Sequence, residues 1–178
     1  MSDNHKHIIT ALVTNKPGVL TRISGLFARR GYNIDSLSVC STHNPDRSRM
    51  TIVAIGDDDE ISQIVRQLDK LVDCHKIMIF EPSKSVKREL LLIKVNLPPE
   101  KRPEFESTAN MMKVKVVDVS ANSAICEMTG ESNKIDSFIE LMRPYGILEL
   151  ARTGVTALSR GRDCIDDLMD YNEEVAGK

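Results

Sequence analysis

The sequence predicts an α+β protein made of two copies of a split βαβ unit, each with the element order βαββαβ. Three observations lead to this fold class. Apolar runs typical of strands alternate with stretches in which apolar residues recur every three or four positions, as in amphipathic helices. The same order of elements occurs twice along the chain. The length of 178 residues suits two small domains, and a hydrophobic fraction of 41% can support their cores.

The first copy begins with a mostly buried strand that ends at the turn signal Asn15-Lys16-Pro17-Gly18. A helix with one apolar face follows at once, and Gly31 stands where a helix commonly ends. Two strands come next, and the acidic run 57–60 opens a second helix whose apolar positions continue to Val72. The strands of this copy are predicted at residues 7–13, 33–39, 50–55 and 75–80.

The second copy follows a linker at residues 82–87, which contains Pro82 and two serines. A shift of 74 positions superposes Gly56 on Gly130 and aligns four apolar positions of the next helix, which indicates a duplicated fold. The predicted domains are residues 5–81 and 88–161, and the acidic stretch 162–178 is interpreted as a solvated tail. Strands of the second copy are predicted at 90–95, 114–119, 124–128 and 147–151, and helices at 102–112 and 135–142.

Composition argues against several functional classes. A net charge of −2 disfavours a strongly basic nucleic-acid binder, and no apolar run approaches the roughly 20 residues that span a bilayer. The N-terminal residues show no signal-peptide pattern, so we expect a cytoplasmic protein. The four cysteines lie far apart, without a Cys-x-x-Cys pair, and are interpreted as reduced structural thiols.

Catalytic and metal-binding patterns are missing from the sequence. It has no Gly-x-Ser-x-Gly elbow, no Walker-type phosphate loop and no Gly-x-Gly-x-x-Gly fingerprint. None of the four histidines lies at ligand spacing from a cysteine. The run 57–60 suggests a metal cluster at first, but carboxylates at a helix start more often cap free N–H groups and oppose the dipole. We therefore predict no catalytic residue and no metal site.

The turn between the first strand and the first helix is the strongest candidate for a binding site. Here a strand ends, a proline fixes one backbone angle, a glycine removes a side chain, and a helix begins immediately. Unpaired backbone N–H groups at such a helix start favour an anion. With no phosphate-loop pattern, a small carboxylate is a better ligand than a nucleotide. The candidate residues of this turn are Asn15, Lys16, Pro17, Gly18, Val19 and Leu20.

An amino acid would be a suitable ligand for this turn. Side-chain oxygens of Asn15 and Asn33 are candidate acceptors for its ammonium group, and Val19 and Ile34 offer apolar walls for a short side chain. The alternative interpretation is a plain tight turn in which Asn15 caps itself. The βαββαβ plan also occurs in single-stranded RNA readers, which stack bases on aromatic residues of their central strands. The strands at 7–13 and 50–55 have no aromatic residue, so RNA binding is disfavoured.

Residues 15–22, with the sequence Asn-Lys-Pro-Gly-Val-Leu-Thr-Arg, resemble the small regulatory subunit of acetolactate (acetohydroxyacid) synthase. The Asn-x-x-Gly-Val-Leu pattern alone marks only the wider ACT-domain superfamily, whereas the whole set of matching segments marks this subunit. The resemblance covers about residues 6–161. The other matching segments are residues 25–27, 30–34, 36–37, 48–52, 151–155 and 158–161.

The resemblance implies an N-terminal ACT domain, a C-terminal ferredoxin-like domain and a homodimer. In such a dimer the turn Asn15–Leu20 of one chain faces Asn33 and Ile34 of the other, and the effector is a branched-chain amino acid, usually valine. The implied partner is the large catalytic subunit, which holds thiamine diphosphate, magnesium and FAD. The small subunit raises its activity and confers feedback inhibition, and none of these cofactors is expected on this chain.

Two further expectations follow. The second copy lacks the Asn-x-Pro-Gly turn, so we expect it to bind no amino acid and to serve contact or stability. The alternative function is that of an ACT-type amino-acid sensor that regulates a different enzyme.

Overall fold

The computed structural model describes residues 5–167, which form two compact units. One comprises the chain up to Val86 together with the residues from Val155 onward, and the other is Lys87–Gly154. The predicted order βαββαβ occurs in both and confirms the fold class. Within the described residues, no helix is long and apolar enough to cross a membrane. Most of the predicted acidic tail lies outside the described residues.

The first unit is a four-stranded antiparallel sheet with two helices on one face. The sheet order is β2-β3-β1-β4, so β2 and β4 are its edges. Side chains alternate along β1, and Ile9, Ala11 and Val13 point into the core that the helices cover. The elements are β1 (His5–Thr14), α1 (Val19–Arg30), β2 (Ile34–Ser41), β3 (Arg47–Gly56), α2 (Asp58–Asp69) and β4 (Cys74–Ile79).

The start of α2 is fixed by a capping box, which confirms the capping interpretation for two residues of the acidic run. The Asp57 carboxylate accepts the Glu60 N–H at 2.9 Å, and the Glu60 carboxylate accepts the Asp57 N–H at 3.1 Å. A Cβ at Gly56 would lie 2.7 Å from Glu60 Oε2, so a side chain there would displace the carboxylate that accepts the Asp57 N–H. The helix ends at Asp69 instead of continuing to Val72, whose side chain is 95% exposed, because the chain turns at Leu71 to enter β4.

Removal of this cap tests how α2 is held. We expect Asp57→Ala to lower the free energy of unfolding by about 1 kcal/mol, since one helix N–H loses its acceptor. Asp59→Ala is the matched control because Asp59 lies in the same first turn but outside the capping box, so its loss removes only a dipole interaction. Urea unfolding measures both variants. Equal effects would show that charge, and not the cap, stabilises this end of α2.

The second unit repeats the plan with the sheet order β6-β7-β5-β8. The predicted linker at 82–87 is shorter in the structure, because Pro82–Lys84 form one 3₁₀ turn and β5 begins at Ser85. Leu91, Ile93 and Phe138 belong to its core. The elements are β5 (Ser85–Asn96), α3 (Arg102–Met112), β6 (Lys115–Val119), β7 (Ser123–Gly130), α4 (Ser132–Met142) and β8 (Ile147–Arg152).

The chain then returns to the first unit, a feature that the sequence does not predict. The domain prediction assigns residues 155–161 to the second domain, whereas in the structure they pack with the first. A short strand, β9 (Thr156–Ser159), pairs with β5, the strand in which the chain passes from the first unit to the second. Val155 and Ala157 are buried against Val53 and Phe80. Because Val53 alternates with the core residues of β3, this return segment covers the sheet face opposite the helices.

Candidate functional site

The turn between β1 and α1 is held open by Gly18. This residue is the N-cap of α1 and has φ 85°, in the left-handed region that favours glycine. Asn15 anchors the turn to the β2–β3 loop, since its N–H donates to the Asp46 carbonyl at 2.8 Å and its Nδ2 to the Pro45 carbonyl at 2.8 Å. The start of α1 has no side-chain cap hydrogen bond, so Asn15 does not cap this helix. The same geometry leaves Asn15 Oδ1 as an acceptor.

Two backbone N–H groups of this turn are available for an anion. The amides of Gly18 and Leu20 donate to no acceptor within residues 5–167, while the amide of Val19 makes a long hydrogen bond of 3.4 Å to the Lys16 carbonyl. The prediction of three unpaired amides thus holds for two. Arg22 lies beside the turn, with its Nη1 3.8 Å from the position that a Gly18 Cβ would take, and its Nη2 pairs with Asp73 Oδ2 at 2.6 Å. These groups suit a carboxylate.

The apolar surface beside the turn differs from the prediction. Val19 was expected to form a wall of the site, but its side chain is buried in the core of the first unit. Leu20 is 46% exposed and is the apolar side chain that the turn presents. The reason is the helix period. Because α1 starts at Val19, this residue lies on the same face of the helix as the buried residues Ile23 and Phe27. Lys16 and Pro17 are exposed.

A single chain does not bring the two predicted halves of the site together. Thr14, at the end of β1, pairs with Arg47 at the start of β3, whereas Ile34 pairs with Ala54 near the end of β3. From Arg47 to Ala54, β3 advances by seven residue steps, a distance of about 23 Å. Asn33 and Ile34 therefore lie at the opposite end of the sheet from the turn.

The second unit has no equivalent of this turn in the part of the chain that the structure describes. Its β5–α3 connection contains the 3₁₀ turn Pro99–Lys101 and no glycine. Instead the second unit holds a buried ion pair: Glu89, which is 4% exposed, pairs with Arg152, and Arg152 Nη1 lies 2.7 Å from Asp136 Oδ1. Burial alone would lower the pKa of Arg152, but hydrogen bonds to both carboxylates outweigh it and raise the pKa. This network stabilises the unit and lies outside the candidate site.

The cysteines fit their predicted role as reduced thiols. None of the four takes part in a disulfide. Burial raises the pKa of Cys74 to about 12, with a smaller contribution from Asp69, and burial raises the pKa of Cys126 to about 11. Both thiols are therefore protonated and weakly nucleophilic at neutral pH.

The first unit is a split βαβ unit with a left-handed glycine between its first strand and first helix. Residues 9–76 match the family model described as an AHAS small subunit-like ACT domain, so this unit is an ACT-type domain. Residues 88–161 match a second model, described as the small subunit of acetolactate synthase. The probable acetolactate synthase small subunit of Archaeoglobus fulgidus is 53% identical over 156 residues, which are 88% of this chain and 98% of the relative. The chain belongs to the family of acetolactate synthase small subunits.

Other relatives agree with this assignment. The acetolactate synthase small subunit of Bacillus subtilis is 45% identical over 157 residues, which are 88% of this chain and 91% of the relative. The crystal structure of the small subunit from Thermotoga maritima superposes with a TM-score of 0.83 at 39% identity, and the match covers 89% of this chain and 99% of that chain. The family and the fold thus agree along both units.

Proposed function

We propose that this chain is the regulatory subunit of an acetolactate synthase and has no catalytic activity of its own. It raises the activity of a thiamine-diphosphate-dependent catalytic subunit in the cytoplasm and confers feedback inhibition by valine or another branched-chain amino acid. Thiamine diphosphate, magnesium and FAD belong to that catalytic subunit. The observation that carries the proposal is the turn at Gly18, where two amides have no acceptor among residues 5–167 and Arg22 lies nearby, in a chain of the small-subunit family.

The effector site is completed by a second copy of the chain. β2 is an edge strand, and its residue Val39 is exposed, so it can pair with the β2 strand of another copy. In an antiparallel pair related by a two-fold axis, the start of one β2 lies beside the end of the other. The end of β2 is at the same end of the sheet as the Gly18 turn. This arrangement brings Asn33 and Ile34 of one copy toward the turn of the other.

Each part of valine then has a complementary group. The carboxylate accepts hydrogen bonds from the amides of Gly18 and Leu20 and lies near the Arg22 guanidinium. The ammonium donates to the side-chain oxygens of Asn15 and of Asn33 from the second copy. The isopropyl group packs on Leu20 and on Ile34 of that copy. A short branched side chain suits these apolar neighbours.

Valine acts on the catalytic subunit by shifting the regulatory dimer between two states. The state with the closed effector site activates the catalytic subunit less than the other state. Valine shifts the equilibrium by no more than the difference between its binding free energies for the two states. Couplings of this kind are about 1–3 kcal/mol, which corresponds to about 5- to 150-fold changes in affinity.

Thermal unfolding of the purified chain against each of the twenty amino acids tests the proposal. We expect valine, leucine or isoleucine alone to raise the midpoint, because a ligand at 100 times its Kd stabilises the folded state by about 2.7 kcal/mol. In an assay of acetolactate formation from pyruvate, the chain alone should be inactive. It should stimulate the catalytic subunit, and valine should reverse the stimulation. No shift with any amino acid, in the chain alone and with its catalytic subunit, would contradict the proposed site.

A further inference from the structure

Two histidines and one aspartate meet at the end of the first sheet that lies away from the Gly18 turn. His5 and His7 are two positions apart on β1, so their rings lie on the same side of the strand. Asp58 is the first residue of α2, which packs on this side. Its Oδ1 lies 3.8 Å from His5 Nε2 and 3.7 Å from His7 Nε2. One potential ligand atom from each residue can be chosen so that all three lie within 4.8 Å of one another.

The Nε2 atom of His7 is a candidate metal ligand. Its side chain is only 11% exposed, and its Nε2 has no hydrogen-bond partner within residues 5–167. A nearly buried imidazole nitrogen with no hydrogen-bond partner can serve as a metal ligand. The distance of 3.7 Å between His7 Nε2 and Asp58 Oδ1 is too long for a hydrogen bond.

We propose that His5, His7 and Asp58 bind a divalent transition-metal ion. Two imidazole nitrogens and one carboxylate oxygen favour zinc, cobalt, nickel or copper over magnesium or calcium. Ligand atoms about 2.0–2.1 Å from a tetrahedral zinc are separated by about 3.3 Å. The observed separations from Asp58 need to close by only a few tenths of an ångström, through side-chain rotations at the exposed His5 and Asp58. Such an ion links the start of β1 to the start of α2.

Different residues of the acidic run at the start of α2 form the helix cap and the proposed metal site. Asp57 and Glu60 form the capping box, and Asp58 stays outside it and faces the two histidines. The prediction of no metal site rested on the spacing between histidine and cysteine and on the interpretation of the whole run 57–60 as helix capping. The three residues that meet here are two histidines of one strand and a carboxylate about 50 positions further along the chain, and such a set has no compact sequence signature.

Isothermal titration of the full chain, with any affinity tag removed, tests the site. We expect one Zn²⁺ per chain, and no binding of Mg²⁺ at the same concentrations. His7→Ala should weaken zinc binding at least tenfold, and His5→Ala and Asp58→Asn should weaken it too. His43→Ala is the matched control, because His43 is an exposed loop histidine outside the cluster and its loss should change nothing. Zinc should raise the unfolding midpoint of the control but not of His7→Ala.

Cobalt absorption separates this site from a thiol site. We expect Co²⁺ to bind without a thiolate charge-transfer band, since the ligands are nitrogen and oxygen. Zinc binding that survives His7→Ala, or that is lost on Cys40→Ser, would overturn the proposal, as would no binding at micromolar concentrations. Circular dichroism shows whether each variant folds. No amino-acid effector takes part in these measurements, so their outcome is independent of the proposed valine site.

Discussion

Gly18→Asp should abolish valine binding while the dimer and the activation of the catalytic subunit remain. A side chain at this position has room, because the nearest atom to its Cβ is Arg22 Nη1 at 3.8 Å. The new carboxylate lies where the carboxylate of valine would bind and can reach Arg22, which also pairs with Asp73. We expect at least a 100-fold loss of affinity, which is about 2.7 kcal/mol. Titration calorimetry and inhibition of the reconstituted enzyme measure it.

Gly18→Asn is the matched control for this substitution. Asparagine has nearly the same shape as aspartate and also tolerates the positive φ of this position, but it carries no charge. It should lose far less affinity than Gly18→Asp. Equal losses would show that shape and not charge excludes valine. A Gly18→Asp variant that remained valine-sensitive would place the effector site elsewhere.

A mixed dimer tests whether the site is shared between two chains. Asn33→Arg places a positive charge where the ammonium group is proposed to lie, so homodimers of this variant should not bind valine. In a mixed dimer with Gly18→Asp, one site contains both substitutions and the other contains neither. We therefore expect the mixed dimer to bind one valine with normal affinity. A mixed dimer that bound none would mean that each site is built within one chain.

Arg152→Met should destabilise the second unit more than any substitution at its surface. It leaves the Glu89 carboxylate buried without its cation, and loss of one partner of a buried ion pair costs about 3–5 kcal/mol. We expect about 3 kcal/mol, at the lower end, because the Arg152 side chain is partly exposed and Ser132 still donates a hydrogen bond to Glu89. Urea unfolding followed by circular dichroism measures the change.

Two comparisons make the Arg152→Met prediction specific. Arg143 forms an ion pair with Glu140 at 2.7 Å in which both side chains are exposed, so Arg143→Met should cause no measurable change. The double variant Glu89→Leu, Arg152→Met removes both charges of the buried pair, and it should be more stable than Arg152→Met alone. A double variant that is less stable than Arg152→Met would mean that Glu89 does not depend on Arg152 for its burial.

The strands and helices with clear periodicity were predicted well because that pattern reflects burial. The alternation in β1 and the helical spacing in α2 place Ile9, Ala11 and Leu68 in one core, as expected. β9 was missed because four residues carry too little alternation to mark a strand, and its buried partners are distant in sequence. The end of α2 was misjudged because Leu71 packs on the core after the helix has ended.

The candidate site was predicted in outline but not in detail. The turn geometry at Gly18 follows from local residue types, so it was accessible from the sequence. The burial of Val19 and the position of Ile34 at the far end of the sheet depend on where α1 starts and on strand order, which are properties of the folded chain. The proximity of His7 to Asp58 also depends on the folded chain, and the sequence alone does not show it.

The return segment has a consequence for how the protein is made. The first unit includes residues from Val155 onward, so its N-terminal part leaves the ribosome long before the residues that cover its second face. Domains commonly fold during synthesis in the order in which they emerge. Here the unit that starts first is completed last, after all of Lys87–Gly154 has been translated. Until then Val53 and Phe80 lack the cover of Val155 and Ala157, so the nascent chain exposes this apolar surface to water.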